Sequence, residues 1–275
     1  MAGTTDVRLV EENGGMKETL YSSDLTDAQW EILEPLLPVP TGFGRPPRSA
    51  RQVINAIFYN LRTGCQWRLL PKEFGPWQTV YGRFRLWKKN GVWTALNDRL
   101  RAKIRAAKGK RCRPTAAILD SQTVRSSDHT GNTGYDAAKK TKGRKRHLLV
   151  DTLGLVLGVM VTPANTPERA GAQALLSRVL IWFTWLRLLW VDSGYSGQEF
   201  ARWVRTVRQK LKVEVVKRLN PAEGFRVLPR RWIVERTFGW LMKQRRLVRD
   251  YEVTDSSAEA WVYIAMIRIM LRRLA

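Results

Sequence analysis

Three acidic residues stand at positions where they could bind divalent metal ions. Asp120 and Asp192 each follow a short apolar run, residues 115–119 and 186–191, and Glu235 lies in an amphipathic helical pattern. Mg²⁺ and Mn²⁺ prefer carboxylate oxygens, and in-line cleavage of a phosphodiester bond uses two such ions about 4 Å apart. The three acids therefore predict metal-dependent phosphoryl transfer.

Each acid taken singly has a simpler interpretation. An Asp at a strand end commonly caps a turn, and a Glu flanked by arginines on a helix is usually part of a surface ion pair. Asp151 illustrates this, because it also lies in an apolar run but is predicted to be a turn residue between two strands. The joint placement of two strand ends and one helix face is what favours catalysis.

The apolar pattern of residues 114–275 predicts how these acids are held. A strand ends at Asp120, two strands follow over residues 147–161, and a helix precedes the strand that ends at Asp192. Strand, hairpin, helix, strand, helix, strand, helix is a mixed α/β order. We therefore expect a ribonuclease-H-like mixed sheet flanked by helices.

Glu235 is predicted to lie on one helix from about residue 229 to residue 248. On a helical wheel Trp240 belongs to a broad apolar arc, which favours core packing for its ring, whereas Arg231, Gly239 and Arg246 share the side of Glu235. Gly239, one turn after Glu235, would let a DNA backbone approach.

The N-terminal part is different in character. Residues 1–20 are predicted to be a flexible leader, and residues 21–113 a small all-helical module. Capping-box spacings at Thr26 and Ser49 predict two helix starts, and Gly64 a helix end. The module is either a relative of the helix-turn-helix that binds DNA or a packing subdomain.

Composition narrows the class of partner. The chain carries 48 Lys and Arg against 24 Asp and Glu, a net charge of +24 that favours a polyanion. Two cysteines and two histidines fit neither a disulfide framework nor a zinc hydrolase. No apolar run is long enough to span a bilayer and no export signal is visible, so we expect a cytoplasmic protein without membrane contact.

Long runs of sequence resemble one family, the bacterial DDE transposases of insertion-sequence family five. In the N-terminal half the resemblance lies in LTDAQWEILEPLLP and GRPPRSARQVINAIFYNLRTGCQWRLLP, and in the C-terminal half in ILDSQTVRSS, KGRKRHLLVDTLGLVL, WVDSGYSG and RRWIVERTFGWL. It covers nearly the whole chain from Tyr21 onward.

The resemblance implies that Asp120, Asp192 and Glu235 are the catalytic metal ligands, that DNA is nicked at the ends of the element, and that free 3′-hydroxyls are joined to target DNA. Family members carry a Tyr, Arg, Glu, Lys signature around the Glu. Arg231 fits it, but Leu228 and Met242 occupy the Tyr and Lys places.

Partners and cofactors follow from this function. We expect double-stranded DNA at the element's termini and at the target, magnesium with manganese as a substitute, two ions in the site, association with the nucleoid, and at least a homodimer to bring two ends together. The residues predicted to contact DNA are Arg83, Arg85, Lys88, Lys145, Arg146, Arg231, Lys243 and Arg246.

Two alternatives remain open at this point. A nuclease would cleave but never join, and a catalytically silent derivative would only bind DNA. The intact set of acids disfavours the silent derivative, and a strand-transfer assay with pre-cut ends separates the nuclease.

Overall fold

The computed structural model describes residues 21–39, 48–216 and 232–275. The predicted leader and Arg231 lie outside these ranges. The helices are α1 Asp27–Leu33, α2 Ala50–Thr63, α3 Trp77–Lys89, α4 Val92–Ala107, α5 Glu168–Val179, α6 Gln198–Val207, α7 Trp232–Met242, α8 Arg245–Val248 and α9 Asp255–Leu274. The strands are β1 Ala116–Arg125, β2 Gly134–Asp136, β3 Thr141–Asp151, β4 Val156–Pro163, β5 Leu188–Val191 and β6 Lys212–Val215.

Local sequence signals account for several helix boundaries. Thr26 and Gln29 form the predicted capping box at the start of α1. Gly64 ends α2 with a φ of 72°, a backbone conformation that glycine adopts without strain. Ser49 precedes α2 but makes no side-chain capping bond, so the second predicted capping box is wrong.

One mixed sheet carries the predicted catalytic half of the chain. β3 pairs antiparallel with β1 on one side and with β4 on the other, whereas β1, β5 and β6 are parallel. β2 extends the sheet at the start of β3. Hairpin pairing first and parallel pairing later is the predicted order, and the ribonuclease-H-like fold class is confirmed.

The long pairing of β1 with β3 corrects two predicted boundaries. β1 continues to Arg125, so Asp120 lies within this strand and not at its tip. β3 begins at Thr141, six residues before the predicted start at His147. The sequence is too polar there to indicate a buried strand, but the continuous backbone ladder with β1 satisfies its amides and carbonyls.

Helices cover both faces of the sheet. α5 and α6 pack on the face that includes Leu119, Leu149 and Val191. On the opposite face, a larger hydrophobic cluster joins Ile118 and Trp190 of the sheet to α7, α9 and the N-terminal helices. This cluster is continuous across residue 113, so the helical module and the sheet share one core.

The C-terminal helix α9 is the centre of that core. The Trp261 ring lies 5.1 Å from Phe84 of α3 and 5.6 Å from Trp67, between centroids. The other side of α9 packs against α4 and β4. None of the helices in the described ranges has both the length and the apolar character needed to cross a membrane.

Candidate active site

Strand register brings Asp120 and Asp192 together. In the parallel pair β1–β5, Ile118 is the partner of Trp190. Asp120 and Asp192 each come two residues later, so they lie at the same level of neighbouring strands. Side chains two apart share a face of a sheet, and both acids therefore extend the face of Ile118 and Trp190, which belong to the larger cluster. Both carboxylates are partly exposed.

Backbone amides orient both carboxylates. Asp120 Oδ1 accepts from the amide of Ser121 at 2.7 Å. Asp192 Oδ1 accepts from the amide of Gly194 at 2.9 Å and caps the short 3-10 turn Ser193–Tyr195. The turn-capping interpretation of Asp192 is therefore confirmed, and it is compatible with a second role for the same side chain.

Glu168 is a further acid at this place, and sequence reasoning missed it. It lies in the first turn of α5, and its Oε1 accepts from Ser121 Oγ at 3.0 Å. Its Oε2 and the Oδ1 of Asp192 lie 3.0 and 3.1 Å from the point that a Cβ on Gly194 would occupy. Both carboxylates thus lie beside the space left by this glycine.

The spacing of Glu168 along the chain gives no hint of this meeting. The position of Glu168 depends on how α5 returns from β4 across the sheet, and only the register of the strands could have indicated it.

Lys139 of the turn between β2 and β3 lies 3.7 Å from Glu168 Oε1, an ion pair between partly exposed groups that is weak in water.

Tyr195 belongs to the short turn that Asp192 caps. Its ring is buried, and burial, with the negative charges of Asp120, Glu168 and Asp192, raises the pKa of its phenol, so that the hydroxyl stays protonated.

Glu235 is placed by a different element. It lies in the first turn of α7 and is exposed, next to the buried Val234. Thr237 Oγ1 donates to the Gly154 carbonyl at 2.9 Å and anchors α7 to the β3–β4 turn. Because α7 belongs to the larger cluster, Glu235 lies on the helix that covers the face shared by Asp120 and Asp192.

Strand register therefore brings Asp120 and Asp192 close together. For Glu235, the structure shows only that its helix, α7, packs on the same face of the sheet. Within the described residues, no three Asp, Glu, His or Cys side chains already form a metal-binding group. The assignment of Asp120, Asp192 and Glu235 as catalytic metal ligands stays a prediction.

Three of the residues predicted to contact DNA have buried side chains. Lys145 donates to the Thr166 carbonyl at 3.0 Å, and Arg146 to the Leu247 carbonyl at 2.7 Å. Arg246 donates to Glu252 at 2.6 Å. A contact with the DNA backbone needs an accessible charge, so burial disfavours this role for all three, which join β3 and α8 to the chain around them. Their contact with DNA stays an untested prediction.

The remaining predicted contacts differ in exposure. Arg85 and Lys243 are exposed, and Arg83 is partly exposed. Lys88 is partly buried and donates to Ser256 and Ser257 at 3.1 and 2.9 Å, so it also links α3 to α9.

The helix that carries Glu235 is shorter than predicted. α7 ends at Met242 and a separate turn of helix, α8, begins at Arg245, which turns Arg246 away from the Glu235 face and into the interior. The prediction that Trp240 packs in the core is wrong, because its side chain is half-buried. The guanidinium carbons of Arg236 and Arg273 lie 4.5 and 4.2 Å from its ring centroid.

Comparison with known proteins agrees with this architecture. A model described as "Transposase DDE domain" matches residues 111–270, and one described as "Putative transposase of IS4/5 family" matches residues 25–97. The chain belongs to the DDE transposase family, and the resemblance stated from its motifs is confirmed.

Individual relatives are similar to parts of the chain. The "Insertion element IS402 uncharacterized 16.2 kDa protein" of Burkholderia cepacia is 38% identical over 37% of this chain and 72% of its own length. "Uncharacterized protein y4sN" of Sinorhizobium fredii is 29% identical over 43% of this chain and 86% of its own. The solved Mos1 mariner paired end complex with Mn matches at 12% identity with a TM-score of 0.29, covering 86% of this chain and 80% of that one.

Proposed function

We propose that this transposase cuts DNA at the ends of an insertion sequence and joins the 3′-hydroxyl ends to target DNA by metal-dependent phosphoryl transfer. The observation that carries the proposal is the register of β1 and β5, which sets Asp120 and Asp192 side by side in a chain of the DDE family. Asp120, Asp192 and Glu235 are its proposed catalytic residues.

The residues present fit a hard divalent cation. Carboxylates are the donors that Mg²⁺ and Mn²⁺ prefer, and Gly194 leaves space beside the carboxylates of Asp192 and Glu168 that any Cβ would narrow. Asp120, Asp192 and Glu235 would hold the metal, and we propose two ions. When bound, the metal activates the attacking oxygen and stabilises the leaving oxygen of the phosphodiester.

The chain's own groups prepare the site. The amides of Ser121 and Gly194 fix one oxygen of each aspartate, so these carboxylates need little reorganisation when DNA arrives. Gly239, for which a Cβ would meet nothing within 4 Å, leaves the α7 surface open one turn after Glu235. A DNA backbone can approach Glu235 there.

Positive charge surrounds the site. Lys139 and Lys140 are exposed on the turn before β3, with Lys139 beside Glu168, and Lys142 is exposed at the start of β3. These lysines replace the buried Lys145 and Arg146 as proposed backbone contacts beside the acids. The other proposed contacts are Arg83, Arg85, Lys88, Arg231 and Lys243. We also propose a cytoplasmic, nucleoid-associated enzyme that works as a homodimer or larger assembly, because two DNA ends must meet.

The test is cleavage and joining on DNA that carries the two termini of the element. We expect Asp120→Ala and Glu235→Ala to abolish both reactions with Mg²⁺ or Mn²⁺ while DNA binding persists. Asp27→Ala, an exposed-acid control in α1, should retain activity. Full activity of either catalytic variant would refute the assignment.

Joining is measured separately with pre-cut ends. Cleavage without joining would identify a nuclease, and DNA binding without either reaction in the unaltered chain would identify a silent derivative.

A further inference from the structure

One side of α3 is exposed along its whole length and has no partner within the described chain. Val80, Phe84 and Trp87 are buried on the opposite side. The exposed residues recur at helical spacing, and α3 contains no acidic residue. They are Gln78, Thr79, Gly82, Arg85, Leu86 and Lys89.

Gly82 in the middle of this face has no structural explanation. Glycine weakens a helix interior relative to alanine, and a Cβ at Gly82 would meet nothing within 4 Å. Gly171 of α5 shows the contrast, because a Cβ there would lie 2.0 Å from His147 Nε2. Packing thus requires the glycine in α5 but not the one in α3.

A bare helix backbone is useful where another surface must come close. The charge of this face indicates which surface that is, since Arg85 and Lys89 lie on it and Arg83 lies at its border. Lys88 ties α3 to α9 through Ser256 and Ser257, so the face is held on a rigid support.

The remaining side chains suit the edges of base pairs. The major groove, about 12 Å wide, admits a helix, and the N-terminal residues of such a helix contact bases. Gln78 and Thr79 stand in the first turn of α3, and amide and hydroxyl groups hydrogen-bond to base edges there. Leu86, 46% exposed, offers an apolar surface to a thymine methyl group.

We propose that α3 enters the major groove of the element's terminal DNA and reads its sequence, with the duplex closest to the helix at Gly82. The proposal rests on the proposed function, since it supplies the step by which the enzyme recognises its own ends. Gln78 and Arg85 are the proposed base contacts, and Lys89 is a phosphate contact.

Substitutions at Gly82 test this with effects of opposite sign. Gly82→Ala should raise the melting temperature of the full chain by roughly 2 to 4 °C, because helix propensity improves and nothing clashes. Gly82→Leu should remain folded but bind DNA about tenfold more weakly or worse, because its side chain fills the space of the duplex. Ala95→Leu, on the exposed face of α4, adds similar bulk elsewhere in the module and should bind normally.

Specificity is measured by selecting bound sequences from a pool of short duplexes with a randomised centre. Gln78→Ala and Arg85→Ala should relax the preferred bases at one or two positions each, with about ten- to hundredfold weaker binding to the selected sequence for Arg85→Ala. Wild-type affinity of Gly82→Leu, or an unchanged preference in both alanine variants, would overturn the proposal.

The two proposals fail separately. If Gly82→Leu binds normally while Asp120→Ala loses cleavage, only the role of α3 is refuted. If Asp120→Ala cleaves normally, the catalytic proposal is refuted whatever the α3 variants do.

Discussion

Removal of the Asp151 carboxylate tests how firmly the helical module is fixed to the sheet. Asp151 ends β3, is fully buried and accepts from Arg105 of α4 at 2.5 Å. It also accepts from the amides of Leu153 and Leu155, each at 2.9 Å, and so shapes the β3–β4 turn. The predicted turn role is confirmed, and the turn is also the attachment point of α4.

The expected magnitude follows from burial. Breaking a buried ion pair by deleting one partner costs about 3–5 kcal/mol, because the remaining charge is left without compensation. Arg105 would retain only its bond to the Arg111 carbonyl among those described. The control is Asp27→Ala, which removes a 2.6 Å pair with Arg51 in which the two side chains are 53% and 24% exposed, so the charge left behind reaches water and the loss should be at most about 1 kcal/mol.

The measurement is urea unfolding of the full chain, followed by circular dichroism and tryptophan fluorescence. We expect Asp151→Ala to lower the free energy of unfolding several-fold more than Asp27→Ala. In a double-mutant cycle, adding Arg105→Ala to Asp151→Ala should cost little more, because the charge left behind is removed. Equal small losses in both single Asp variants would refute the argument that burial sets the magnitude.

Further predictions concern the acid site and its surroundings. Glu168→Gln keeps an acceptor for Ser121 but removes a charge beside Asp192, so cleavage should fall about tenfold with unchanged urea unfolding; undiminished cleavage would exclude Glu168 from the reaction. Gly194→Ala should lower cleavage to a similar extent, since its methyl group would press on the carboxylates of Asp192 and Glu168, and a stability loss without an activity loss would contradict this. Burial lowers the pKa of His147 from 6.5 to about 4. The neutral imidazole contributes its full stability above pH 6.5, and roughly 3 kcal/mol of that stability is lost as the pH falls toward 4. When unfolding is measured from pH 7.5 to pH 4.5, His147→Gln should therefore flatten the pH dependence of the free energy of unfolding.

Sequence patterns predicted the elements better than the roles of charged residues within them. Apolar periodicity identified the sheet order and set Asp120 and Asp192 on neighbouring strands, although Asp120 lies inside β1 and not at its predicted end. Lys145 and Arg146 lie in a basic run and are predicted to contact DNA, but both side chains are buried. Their burial depends on carbonyls of residues far away in sequence, Thr166 and Leu247, which local pattern does not reveal.

Glu168 and Arg246 also show what local sequence patterns do not predict: Glu168 joins the site without any pattern that indicates it, and Arg246 leaves the side that a pattern indicated. Glu168 joins the site because α5 and β5 meet at Gly194, a tertiary coincidence without a spacing signature. Arg246 left the predicted DNA-facing side because the helix breaks after Met242, and its charge is then compensated by Glu252. Both outcomes depend on packing between elements, which one chain's periodicity does not encode.

The central position of α9 has a consequence for synthesis in the cell. Residues 255–274 complete the core of helices that leave the ribosome some 150 residues earlier, and they also cover one face of the sheet. The first half of the chain therefore exposes Phe84, Trp87 and their neighbours until translation of α9 is finished. A nascent chain stalled before α9 should therefore need a chaperone to keep these apolar side chains from aggregating.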